Sequence, residues 1–295
     1  MNPKSAFIGI DQTGAALSGG SRAKPLPCAV LNQGRLQVGM LRAMTEADIR
    51  EWLETRIPGL ILNSEVAILV DCVFGWAEGS APLWKLFQTA HEFESGSGPR
   101  FGRSIAERFF AKLLKHLRRD LPSQEPAGAA LPHRRCEVLS GANSVFQSRP
   151  FQRNIQTGTF RIWREMGESG SAWANLWPFD APHDSRPDRP WVFEAYPTWL
   201  WREVLGLRVR EPLKLRSAVT ERLGSDPGDS ATWERIEGSP DLADAAVLAI
   251  GGFILDLERR LEEPFPSFRE QREISSEGWI VGVSSGGARV QGPTK

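Results

Sequence analysis

Ala6-Phe7-Ile8-Gly9-Ile10-Asp11-Gln12-Thr13-Gly14 decides how the rest of the chain is read. The apolar run is too short for a helix, ends abruptly in an acid and passes into a Gln-Thr-Gly turn. That pattern predicts a buried strand that delivers a carboxylate to the edge of a sheet. A charge beside such a run is costly unless a cation or a set of donors compensates it. An Asx-type turn closing the strand accounts for Asp11 alone equally well. The pattern recurs, however: Val66-Ala67-Ile68-Leu69-Val70 leads to Asp71, and Trp191-Val192-Phe193 leads to Glu194.

Working outward, Cys28–Leu31 and Leu36–Met40 flank Asn32-Gln33-Gly34, a hairpin signal. Thr45 is placed to cap a helix whose apolar face is Ile49, Trp52, Leu53 and Ile57, stopping at Pro58-Gly59. With the strand at 66–70 the order is βββαβ, which predicts an α/β protein with a mixed sheet flanked by helices. The stretch 77–190 is expected as a mainly helical insertion on a single domain covering 1–283. Helices are predicted there over Leu83–Phe93, Ile105–Leu117 and Thr159–Met166, a strand at Cys136–Leu139, and loops at Pro122–Pro132 and Pro178–Pro190. Beyond it, a helix starts near Pro197, and one or two polar helices fill 208–238. Ser239-Pro240 then opens an Ala-rich helix over Asp241–Arg260. Gly278–Val283 suits an edge strand, and 284–295 a disordered tail.

Composition narrows the partners. The 295 residues carry 36 Lys+Arg against 36 Asp+Glu, so an obligate polyanion binder is excluded while a local basic face is not. Cys28, Cys72 and Cys136 show no CxxC spacing, which argues against a disulfide framework or a structural zinc site. The N-terminus lacks a signal-peptide plan and no apolar run can span a bilayer, so a cytoplasmic protein with no membrane partner is expected. Trp163, Trp173, Trp177, Trp191, Trp199 and Trp201 crowd the middle of a chain with 11 tryptophans and one tyrosine; core packing is their expected role, base stacking the minority one.

Parallel strands would set Asp11, Asp71 and Glu194 along one sheet edge, where open α/β folds hold ligands. The last helix adds Asp241 and Asp244, spaced i and i+3 on one face. Asp241 in the first turn favours the helix dipole, but Asp244 sits within Leu242-Ala243-Asp244-Ala245-Ala246-Val247 and needs a partner. His91, His116, His133 and His183 lie scattered in polar or loop contexts and read as surface residues. An all-oxygen donor set selects Mg²⁺ or Mn²⁺ over Zn²⁺. Crowded carboxylates repel and raise their own pKa values unless divalent ions neutralise them. Two ions about 3.5–4 Å apart would activate a water and stabilise the leaving oxygen of a phosphodiester. The expected ligands are Asp11, Asp71, Asp241 and Asp244, with Glu194 a further ligand or the group orienting the water. Arg149, Arg153, Arg161 and Arg164, with Thr13 in the first turn, are candidate substrate contacts; a solvated helix face explains the arginines equally well. Gln156-Thr157-Gly158-Thr159 could cap a helix whose amides face an anion.

At Gly9-Ile10-Asp11, Asp71-Cys72-Val73-Phe74-Gly75, Glu194-Ala195-Tyr196-Pro197 and Asp241-Leu242-Ala243-Asp244-Ala245 the chain resembles the DUF429 family of predicted nucleases. These short motifs occur in order between Phe7 and about Leu257. The resemblance implies a ribonuclease H-like fold, a metal-bearing acidic site and a nucleic-acid or nucleotide substrate. The paired acids of the last helix are also similar to those of Holliday-junction resolvases. One departure is Val73, where the family carries a proline in an Asp-x-Pro-x-Gly pattern. Two other readings stand beside the nuclease. Gly9–Gly14 resembles the phosphate loop of actin-like ATPases and sugar kinases, but Asp71–Trp76 supplies no second phosphate loop. A non-catalytic module could instead use the same groove to bind nucleic acid or protein.

Overall fold

A computed structural model describes residues 4–12, 23–75, 83–93, 103–120, 134–142, 153–170, 172–180, 185–261 and 279–283, without the side chains of 103, 114, 116–120, 135, 153 and 154. Six strands form one sheet: β1 (Ala6–Ile10), β2 (Leu26–Asn32), β3 (Arg35–Leu41), β4 (Val66–Val70), β5 (Asn175–Trp177) and β6 (Trp191–Glu194). Their order is β3-β2-β1-β4-β6-β5. The meander β1–β2–β3 is antiparallel, whereas β1 with β4, β4 with β6 and β5 with β6 run parallel. β1 is buried along its whole length, as its unbroken apolar run requires of a central strand. The β2–β3 turn is Gln33-Gly34, with φ of 48° and 73°; two left-handed residues match the twist of the paired strands.

Side-chain alternation divides the core into two layers. Ala6, Ile8, Ile10, Ile68, Val70 and Val192 face one layer, which holds helices α1 (Glu46–Arg56), α2 (Leu83–Glu92), α3 (Arg103–Asp120) and α5 (Arg153–Met166). Phe7, Ala67, Leu69 and Phe193 face the other, covered by α9 (Pro240–Leu257) together with α7 (Pro212–Leu223) and α8 (Ser230–Glu237). A short α6 (Pro197–Trp199), with Pro197 in its first turn, continues as a π-helical turn over Leu200–Val204 and joins this second layer. α9 lies across the central strands so closely that a Cβ on Gly9 would stand 2.1 Å from the Ala245 carbonyl oxygen. Gly9 is therefore fixed by helix contact. The helix opens as its sequence predicts: Ser239 Oγ accepts from Leu242 N–H at 3.3 Å.

The expected βββαβ order is present, and α1 is capped by Thr45, whose side chain accepts from Asp48 N–H. The mid-chain segment departs from expectation in three places. Cys136–Leu139 is not a strand but part of α4 (Arg135–Ser140), because Glu137 folds back to accept from the Arg134 N–H at 2.9 Å and caps a helical turn. α5 starts at Arg153, so Gln156–Thr159 lie inside the helix and cannot cap it. β5 was not anticipated: its three residues are too few to show alternation, yet they pair with β6 and add a strand to the main sheet. Gly278–Val283 is reduced, over its described part, to a parallel bridge of Ile280 with Glu194. The Pro122–Pro132 loop and the tail from 284 lie outside the described residues. Trp163, Trp173, Trp177, Trp191 and Trp201 are buried in the core, as expected of most of the tryptophans. All three cysteines are buried, and none of them forms a disulfide. No helix among the described residues is long and apolar enough to cross a membrane.

Candidate acidic site

Asp11 and Asp71 each follow the last residue of a central strand, and those residues, Ile10 and Val70, are register partners. The Asp71 N–H donates to the Ile10 carbonyl at 3.0 Å, and the Asp11 N–H to that of Pro27 at 3.1 Å. Alternation sends both carboxyls to the α9 side, since each is two residues beyond a side chain or glycine that touches α9 (Gly9, Leu69). There the first turns of α9 bring up Asp241 and Asp244. The distant acids thus come within electrostatic reach of one another, Asp11 feeling the charges of Asp71, Asp244 and Asp241.

Their electrostatics record the crowding. Burial, followed by the charges of Asp71, Asp244 and Asp241, raises the Asp11 carboxyl well above the ordinary aspartate range. Asp71 is pushed up to about 7, first by burial and then by Asp244, while a hydrogen bond with Asp11 opposes the shift. Buried carboxyls this close disfavour ionising both at once. Burial also raises Asp244, although its oxygens are well supplied with donors. Trp201 Nε1 donates to Oδ1 at 2.7 Å, and Arg210 donates to Oδ2 from Nε at 3.0 Å and from Nη2 at 2.9 Å. Neither partner was foreseen, because each lies on a different segment from the acid that it serves.

Glu194 is placed differently. It pairs in register with Val70, not with Asp71, so its side chain leaves the opposite face of the sheet. On that face it meets Arg134, whose Nη1 donates to Oε2 at 2.7 Å and whose Nη2 donates to Oε1; the Phe74 N–H adds a bond to Oε2 at 2.9 Å. Arg134 also donates from Nε to Glu137 Oε1 at 2.8 Å and is itself only 1% exposed. The expectation that Glu194 ligates metal or orients water beside the aspartates is corrected accordingly: its carboxylate is committed to a buried guanidinium. Its charge still reaches Asp71, which it helps to raise.

The proposed phosphate contacts are dispersed. Thr13 and Arg149 lie outside the described residues, as does the side chain of Arg153. Arg161 is not a surface grip: it is 3% exposed, with Nε on Glu165 Oε1 at 2.8 Å. Arg164 is half-buried and donates to the Phe93 carbonyl at 3.2 Å. His91, half-buried, contacts the Arg164 carbonyl through Nδ1 at 3.2 Å. A small cleft is lined by Asp71 and Glu194 and, among others, by Gln12, Val73 and Tyr196. Gln12 approaches Gly158 of α5 so closely that a Cβ there would stand 1.8 Å from Oε1.

The donor chemistry suits a hard divalent ion: aspartate oxygens and a surplus of negative charge. No group of three or more His, Cys, Asp or Glu among the described residues stands in ligating arrangement. Arg210 takes Asp244 Oδ2, and Arg134 takes both oxygens of Glu194. Compared with protein-family models, curated proteins and solved structures, the chain matches none.

Proposed function

We propose that the chain is a Mg²⁺- or Mn²⁺-dependent nuclease, hydrolysing a phosphodiester of a nucleic acid or nucleotide on a ribonuclease H-like sheet of the DUF429 kind. The observation that carries this reading is the meeting of Asp11, Asp71, Asp241 and Asp244 from two parallel strand ends and one helix. The sheet order supports it too, with β1 central, an antiparallel meander on one side and parallel strands on the other. Asp11, Asp71 and Asp244 would hold the ion, with Asp241 auxiliary. When bound, the ion supplies an activated water and neutralises charge developing on the phosphate.

The chain's own residues prepare that site. Asp11 and Asp71, both raised by burial and by neighbouring acids, would have to release any bound proton to solvent to ligate an ion, so metal binding would be proton-linked. Trp201 fixes the rotamer of Asp244 from the buried side. Arg134 positions Glu194, which in turn holds the Phe74 N–H and so the segment after Asp71. The test is a Mn²⁺ titration followed by cleavage assays on single-stranded, double-stranded and branched substrates. Asp11→Asn is expected to abolish both binding and cleavage while leaving the fold intact. Wild-type protein that binds no Mn²⁺ would sink the nuclease and leave the non-catalytic binding module in its place.

A further inference from the structure

We propose that Arg210 is a displaceable internal cation: its guanidinium holds Asp244 Oδ2 in the metal-free protein, and a divalent ion must evict it to bind. The inference rests on the metal-site reading above and adds a residue that neither the sequence motifs nor the strand-end pattern singles out. The two oxygens of Asp244 are held unequally. Oδ1 takes Trp201 Nε1, and Trp201 is fully buried and unable to leave. Oδ2 takes Nε and Nη2 of Arg210, whose side chain is 55% exposed and has solvent to swing into. The same positive charge also acts on Asp11 and Asp241, so it serves the whole cluster, as a bound cation would.

The backbone adds an independent observation. Arg210 lies between the π-helical turn and α7 at φ 58°, in the left-handed region that disfavours a side-chain-bearing residue. Glycine would fit this turn without strain, yet an arginine stands there and reaches the acids. Strain kept at a site-facing residue points to a task for its side chain. Two cations cannot share one carboxylate oxygen at hydrogen-bond distance without strong repulsion, so guanidinium and metal ion alternate.

Alternation is a coupling between two ligands of one carboxylate, and it predicts how metal affinity responds to the arginine. Mn²⁺ is titrated calorimetrically into wild type, Arg210→Gly and Arg210→Lys, with thermal melts in EDTA and in saturating Mn²⁺. Arg210→Gly removes the competitor and relaxes the turn, and should tighten Mn²⁺ binding at least about fivefold. Arg210→Lys keeps the charge but loses the two-nitrogen grip, and should tighten it by less, though measurably. Mn²⁺ should also raise the melting temperature of both variants by more than that of wild type. Unchanged or weaker affinity in Arg210→Gly overturns the proposal while the metal site stands. Arg210→Lys equal to wild type overturns it as well, since charge at a distance would then be the whole effect. Failure of wild type and both variants to bind Mn²⁺ removes the metal site and this proposal together.

Discussion

Arg134 and Glu194 show how much a single buried contact can redirect a functional reading. Both are almost fully buried, and the pair is completed by Glu137 and the Phe74 N–H. Removing one partner leaves an uncompensated charge, so Arg134→Met is expected to cost about 3–5 kcal/mol in urea unfolding. Adding Glu194→Gln should restore part of that loss; no recovery in the double variant would mean that the charge pairing is not what the arginine provides. The aspartates were legible because each ends or interrupts an apolar stretch, where a charge stands out. Arg134, Trp201 and Arg210 were not, because they reach their acids across 60, 43 and 34 residues of sequence. No local pattern marks such a pair. Glu194 was misplaced for a subtler reason: three strands ending in acids look alike until register is known, and a one-residue offset reverses the face.

Among the elements, β1 and α9 set the geometry of the site. Their contact is backbone-close at Gly9, where an added methyl group would meet the Ala245 carbonyl and the Ala249 amide nitrogen at 2.1 and 2.6 Å. Gly9→Ala should therefore destabilise the protein by about 1–3 kcal/mol or more through overpacking, read from denaturant midpoints. Ser239 caps the same helix at the acid end; Ser239→Ala should cost about 1 kcal/mol and fray the first turn that carries Asp241, one turn before Asp244. Unchanged stability in that variant would show that Pro240 alone fixes the start. Most of these elements could be read from the sequence, since β1, β4 and β6 are apolar runs bounded by turns and α9 is capped. The mid-chain elements could not. α4 is only six residues long and starts from an Arg–Glu cap, a combination that composition disguises as a strand.

At the scale of the whole molecule, neutral net charge conceals a strongly acidic centre. For Asp71, whose carboxyl rises from 3.8 to about 7 on folding, the folded state binds more protons than the unfolded state across that interval. Stability of the metal-free protein should then fall as pH rises from about 4 to 7, the sign required when the native state holds the extra proton. Asp71→Asn should flatten that slope and raise the melting temperature at neutral pH; a slope unchanged by the substitution would place its origin elsewhere. Saturating Mn²⁺ should add about 2.7 kcal/mol at a hundredfold excess over its dissociation constant, most visibly at neutral pH where the acids are ready to ionise. One further consequence follows from the way α9 closes on β1. The acids that couple are contributed by residue 11 and residue 244, so a ribosome-bound chain has no assembled acidic cluster until the segment through residue 244 has emerged. Until α9 has folded onto β1, the two strand-end aspartates lack the acids that, with burial, raise their pKa values in the finished fold.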